Sequence, residues 1–171
     1  MLFRSAAAGF LAGPEGNRRM VRELEASTGA KVVSTAEAMV EALRFSGVKR
    51  TVVVTPYLAA INDGLSAYLE HSGIEVETLS SFHCKTTAEL GAITSAQVEN
   101  LALATVKPES KALFIACSQL PTLPIIAGLR KRLGIPVWSS IQATAWSGAR
   151  VMSAAGQPLA LPTAAAPAHA A

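Results

Sequence analysis

Short runs of β-branched residues alternate along this chain with longer stretches whose apolar positions recur every three or four residues. Residues 51–55, 74–78, 112–116 and 136–139 read as strands, with 31–33 as a shorter one. The first and third of the four are apolar enough to be covered on both faces. The helices declare themselves by their starts. Ser34-Thr35-Ala36-Glu37 is a capping box, and Met39, Val40 and Leu43 make the apolar stripe of a helix that ends near Gly47. Thr55-Pro56 reads as a cap with proline at the first helical position, followed by Leu58, Ile61, Leu65 and Leu69 on one face. Thr86 opens a third helix reaching about Val106, 123–133 is a fourth stopped by Gly134, and 141–152 is the last. Strands alternating with helices in this way predict an α/β fold with a mostly parallel sheet and crossover helices.

Composition narrows this picture. Half of the 171 residues are hydrophobic and only 5% are aromatic, which suits Ala-rich helices packed on a sheet better than a β-sandwich. That length supports one domain with a real core, while the Ala, Pro and Thr of residues 153–171 cannot build one and predict a disordered tail. The net charge is +3 and the basic residues are scattered, so no electrostatic footprint for nucleic acid is present. Arg18-Arg19 and Arg130-Lys131-Arg132 read as solvated helix faces. No apolar stretch is long enough to cross a bilayer, and the short apolar run at 1–13 is broken by glycines and reads as part of the fold rather than a leader. Cys84 and Cys117 fit neither a disulfide framework nor a zinc spacing, which points to a reducing, cytoplasmic setting.

In a parallel sheet, ligands bind beyond the carboxyl ends of the strands. Three polar turns fall there: Thr55-Pro56-Tyr57, Cys117-Ser118-Gln119 and Ser139-Ser140-Ile141-Gln142. Cys117 is the candidate reactive group, because a thiol between a buried strand and a helix start would meet backbone N–H groups and the positive end of a helix dipole, both of which favour the thiolate. The plainer alternative is a small buried hydrophobe. The turns offer N–H groups, hydroxyls and an amide but no Lys or Arg, so a hydrogen-bonded carboxylate is the expected guest. No Gly-rich dinucleotide fingerprint or phosphate loop is present, and no cofactor or metal is expected. Tyr57 could equally be an amphipathic cover on the sheet edge, and Ser139-Ser140 a helix cap and nothing more. His83 and Cys84 are adjacent on an extended segment and would point apart. Trp138 and Trp146 read as core or interface aromatics.

Taken together, Val52-Val53-Val54-Thr55-Pro56-Tyr57 with Ile61-Asn62, Phe114 to Cys117 with Thr122, and Gly134 to Val137 leading to Ser139-Ser140-Ile141-Gln142-Ala143 and Trp146 resemble the maleate cis-trans isomerase and arylmalonate decarboxylase branch of the aspartate/glutamate racemase superfamily. Phe10 to Pro14 and Ser34 to Leu43 extend the likeness, and Ser80-Ser81-Phe82 is similar to a segment in members linked to ectoine utilisation. The resemblance implies a three-layer sandwich that is the flavodoxin-like half of a two-domain fold: residues 1–33 as the remnant of an N-terminal half, 34–152 as the α/β domain carrying Cys117 and a returning last helix, and 153–171 as the tail. It implies a cofactor-independent isomerase, racemase or decarboxylase of small mono- or dicarboxylates. Cys117 would be its thiol, Tyr57 would donate to a substrate carboxylate, and Ser118 and Gln119 would line the pocket. The N–H groups of Cys117 and Ser118 would hold developing oxyanion charge. Asn62 would either bind substrate or orient the Tyr57 turn. Ser5 falls where a second thiol stands in two-base members, which speaks against racemisation, and His83 falls where the ectoine-linked segment tends to carry Asn. The competing expectation is a truncated, non-catalytic carboxylate-binding module. Half a fold with uncovered helix faces also predicts a homo-oligomer.

Overall fold

The structure, a computed structural model, describes residues 1–3 and 6–154. β1 (Leu2–Phe3) leads into α1 (Ala6–Leu11) and α2 (Gly13–Thr28), followed by β2 (Val33–Ser34) and α3 (Thr35–Phe45). Then come β3 (Arg50–Thr55), α4 (Ala59–His71), β4 (Glu75–Ser81), α5 (Thr87–Gly91) and α6 (Ser95–Thr105). β5 (Leu113–Ile115), α7 (Leu123–Leu133), β6 (Val137–Ser139) and α8 (Ser140–Ala154) complete the described chain. Ser5 and residues 155–171 lie outside the described residues, so the expectations placed on Ser5 and on most of the tail do too. Ser153 and Ala154, assigned above to the tail, belong to α8.

β3, β4, β5 and β6 form one parallel sheet in the order β4-β3-β5-β6, and β1 pairs with β2, also parallel. The chain leaves β3 toward one edge to make β4 and then returns past it to make β5. The connection therefore changes direction between β3 and β5, which is the switch point where doubly wound sheets open a crevice. The strands alternate cleanly. Val53, Phe114 and Trp138 share one register row and pack into the layer that holds Met39, Leu43, Leu65, Leu69 and Trp146. Val52, Leu113 and Val137 share the next row and pack with Val98, Ile126 and Leu129 on the opposite face. Both faces of β3 and β5 are thus covered by helices, as their unbroken apolar runs require.

Three helix boundaries differ from the sequence reading. Thr55 does not cap α4; it ends β3, residues 56–58 form a loop, and α4 starts at Ala59. The reason is local: the Thr55 hydroxyl accepts the Tyr57 N–H at 3.2 Å and so closes a turn instead of a first helical ring. The stretch after Thr86 is two helices rather than one, because Thr94 and Gln97 make a second, reciprocal capping box that restarts the chain. Residues 1–28, for which the pattern offered no elements, carry β1, α1 and α2. α2 is closed by Gly29 at φ 65°, a left-handed position that suits glycine.

Candidate active site

The carboxyl ends of the four strands form a rim of hydroxyls and one thiol: Ser81 at the end of β4, Thr55 at the end of β3, Cys117 just beyond β5, and Ser139-Ser140 at the end of β6. Around the β3 end the polar groups satisfy one another. The Thr55 hydroxyl donates to Asn62 Oδ1 at 2.6 Å, and Asn62 Nδ2 donates to the Tyr57 carbonyl at 2.9 Å. That carbonyl also accepts the Ser81 hydroxyl at 2.5 Å. The next segment is tied in as well: the Phe82 N–H donates to the Thr55 carbonyl at 3.0 Å and the Cys84 N–H to the Pro56 carbonyl at 2.8 Å. Thr55 and Asn62 are both buried, and both polar atoms of the Asn62 amide are engaged with the turn.

Tyr57 stands half-buried above this clamp, packed against the apolar cluster that contains Cys117. Burial first, and then interaction with the Cys117 side chain, hold the phenol well above its ordinary range. Tyr57 is therefore a neutral donor facing a thiol.

Cys117 is buried and adopts φ 100°, a conformation that costs a non-glycine residue on the order of 1–3 kcal/mol. It is held there from both sides. The Ala116 N–H donates to the Val54 carbonyl at 2.8 Å, and the Cys117 N–H donates to the Ser140 hydroxyl at 3.0 Å. Two expectations are corrected by this. α7 begins at Leu123, several residues past Cys117, so no helix N-terminus reaches the thiol directly. The Cys117 N–H already has an acceptor in Ser140 and is not open to an oxyanion, whereas the Ser118 N–H has no acceptor among the described residues. Ser118 is half-buried and Gln119 exposed on the same turn. Beneath it, Thr122 is buried with a hydroxyl that meets no partner among the described residues.

The paired serines divide their work. Ser139 accepts the Gln142 N–H at 3.4 Å as a cap, while Ser140 serves Cys117. Sequence reading missed Ser140 as a neighbour of the thiol; the only available signal was two hydroxyls at a strand end where one suffices for a cap. His83 and Cys84 do not sit on an extended strand end, since His83 turns at φ 52° with its N–H on the Ser81 hydroxyl, and its ring is exposed. Burial, with the charges of Glu89 and Cys117 adding to it, raises the Cys84 thiol. Trp138 and Trp146 pack against each other in the core with ring centroids 5.5 Å apart. A separate groove of about 880 Å³ between α2, α3 and α4, lined among others by Arg18, Glu37, Arg44 and Tyr68, shares no residue with the thiol turn. No helix among the described residues is long and apolar enough to cross a membrane.

A family model described as arylmalonate decarboxylase matches residues 5–162. Maleate isomerase of Nocardia farcinica is 31% identical over 168 residues, covering 95% of this chain and 66% of that protein. Arylmalonate decarboxylase of Bordetella bronchiseptica is 28% identical over 149 residues, covering 83% and 60%. Among solved structures, a cysteine-to-serine mutant of the Nocardia farcinica maleate cis-trans isomerase, carrying a covalently bound succinylcysteine intermediate, superposes with a TM-score of 0.83 at 29% identity, over 94% of this chain and 67% of that one. The chain thus spans no more than about two thirds of the curated relatives it matches.

Proposed function

The chain belongs to the arylmalonate decarboxylase family, and from that premise we propose that it carries the thiol side of a cofactor-independent site for small mono- or dicarboxylates. Isomerisation of a cis-alkene diacid of the maleate type is the reaction that fits best. One observation carries the reading: at the switch point of the sheet the buried Cys117 is held at φ 100°, in the cluster against which Tyr57 packs. The likeness to maleate isomerase, 31% identical over 95% of this chain, supports it.

In this reading Cys117 is the catalytic residue. Its thiolate adds to one alkene carbon, and the π electron pair moves onto the adjacent carboxylate. The remaining carbon–carbon single bond rotates, the pair returns, and the carbon–sulfur bond breaks to release the trans isomer and regenerate the thiolate. The charge that accumulates on the carboxylate needs donors positioned in advance. Tyr57 and the Ser118 N–H supply them, and Gln119 reaches the pocket from the exposed side of the turn. Asn62 orients Tyr57 rather than touching substrate, because it is buried with its amide oxygen committed to Thr55 and its amide nitrogen to the Tyr57 carbonyl.

The test is incubation with maleate, followed by intact-mass and peptide analysis and proton NMR of the free acid. A maleate adduct mapped to Cys117, absent in Cys117→Ser and retained in Cys84→Ala, together with fumarate in solution, is the expected result. Absence of both adduct and fumarate defeats the isomerase reading. Carbon dioxide release from an arylmalonate in the same preparation would move the assignment to decarboxylation, where Cys117 acts as a general acid.

A further inference from the structure

We infer that Ser140 is a positioning residue for the Cys117 thiol: its hydroxyl, by accepting the Cys117 N–H, holds that residue in the left-handed conformation that turns the thiol toward Tyr57. The inference rests on Cys117 being the reacting group and adds a residue whose part in the reaction the sequence does not announce.

Four observations meet here. Cys117 and His83 are the two non-glycine residues at positive φ among the described residues, and Cys117 at φ 100° is the one that is buried. Such a conformation persists only where its surroundings enforce it. The enforcing contact is the 3.0 Å bond to the Ser140 hydroxyl, which lies just beyond the last paired row of β5 and β6, Ile115 with Ser139. Ser140 is itself fully buried and cannot exchange this bond for one to water.

Ser140 is also fixed from behind. Its carbonyl accepts the Thr144 hydroxyl at 2.7 Å, and the Thr144 and Thr35 hydroxyls lie 3.0 Å apart. A buried hydroxyl chain therefore links the thiol turn to the first residue of α3, next to Ser34, where the Asn17 amide also bonds. Serine suits the position because it offers an acceptor at the length required. Alanine keeps the helix and removes only the acceptor, so the turn relaxes and the thiol loses its contact with Tyr57.

The experiment measures iodoacetamide labelling of Cys117 across about pH 6 to pH 9 in a Cys84→Ala background, with urea unfolding in parallel. Ser140→Ala is expected to slow labelling roughly tenfold near neutrality. Ser140→Thr, which keeps the oxygen, should stay within about twofold of the parent. Tyr57→Phe should reproduce the Ser140→Ala profile, and the double variant should be no slower than either, because both substitutions break the same thiol–phenol contact. A folded Ser140→Ala protein with an unchanged profile overturns the inference, as does full additivity with Tyr57→Phe. If Ser140→Ala and Ser140→Thr both fail to fold, Ser140 belongs to the fold and not to the thiol, which also overturns it. The two readings separate cleanly. Slower labelling in Ser140→Ala without any maleate adduct keeps the positioning role and removes the proposed reaction, and an adduct with an unchanged Ser140→Ala profile does the reverse.

Discussion

Replacing Asn62 with alanine tests whether the Tyr57 turn is held by the fold or merely rests in it. The substitution removes the bond from the Thr55 hydroxyl to Asn62 Oδ1 and the bond from Asn62 Nδ2 to the Tyr57 carbonyl. The two losses are unequal. The Tyr57 carbonyl keeps the Ser81 hydroxyl as a partner, so it is not orphaned. The Thr55 hydroxyl is fully buried and still accepts the Tyr57 N–H, but its own proton is left with no acceptor. Two net hydrogen bonds plus part of one orphaned donor come to about 2–3 kcal/mol. At about 2–4 °C per kcal/mol for a domain of this size, the melting temperature should fall by roughly 5–10 °C. The assay is urea unfolding followed by far-UV circular dichroism, with the slope expected to stay constant while the midpoint falls. Thr55→Val supplies the second arm of a cycle. Once Asn62 is gone, removing the Thr55 hydroxyl also removes the orphan, so the double variant should be more stable than the sum of the singles by about 1 kcal/mol or more. A loss below about 0.5 kcal/mol for Asn62→Ala, or additivity within about 0.3–0.5 kcal/mol, refutes the clamp and returns Asn62 to the list of substrate ligands.

Other substitutions probe the frame around the site. Ser34→Ala removes both the cap of α3 and the acceptor for the buried Asn17 amide, and should cost about 2–4 kcal/mol by denaturant titration; a loss near zero would show that the cap carries no weight. Gly9→Ala places a Cβ 2.8 Å from that of Ala36 and 2.9 Å from Asn17 Oδ1, so α1 must move away from α3. About 1–3 kcal/mol of destabilisation is expected despite the better helix propensity, and a stabilised variant would mean that this contact is loose. Glu37 is raised above its ordinary value of 4.5, mainly by burial, so its ionised form opposes folding. The favourable neutral form is fully present below that value and is lost as pH rises through the folded one. Glu37→Gln should therefore be more stable than the parent at pH 7, by under about 1 kcal/mol for a half-exposed group, and the gain should vanish below pH 4.5. An equal gain at both pH values contradicts the sign.

What could be read in advance was whatever the chain encodes over short distances. The runs at 51–55 and 112–116 became the central strands because apolar residues on both faces leave them nowhere else to go, and Ser34 caps α3 because its partner Glu37 is three residues away. The same local logic could have found Thr94, whose capping box with Gln97 splits the helix expected after Thr86. It fails at the β3 end, where Thr55-Pro56 has the form of a helix start but the hydroxyl is claimed by Asn62 and by the Tyr57 N–H. It fails again at the thiol. A cysteine after an apolar run suggests a helix dipole, yet α7 starts too late to supply one. What shapes the thiol instead is a hydroxyl 23 residues further on, brought alongside by the pairing of β5 with β6. Tyr57 arrives from β3 by the same kind of adjacency. Each strand end was visible separately as a polar turn, but which ends are neighbours is a property of the β4-β3-β5-β6 order. The chemistry of Cys117 therefore depends on the sheet. A change that slides β6 against β5 by one residue would remove Ser140 from the Cys117 N–H and disarm the thiol while leaving every residue of the 117–122 turn in place.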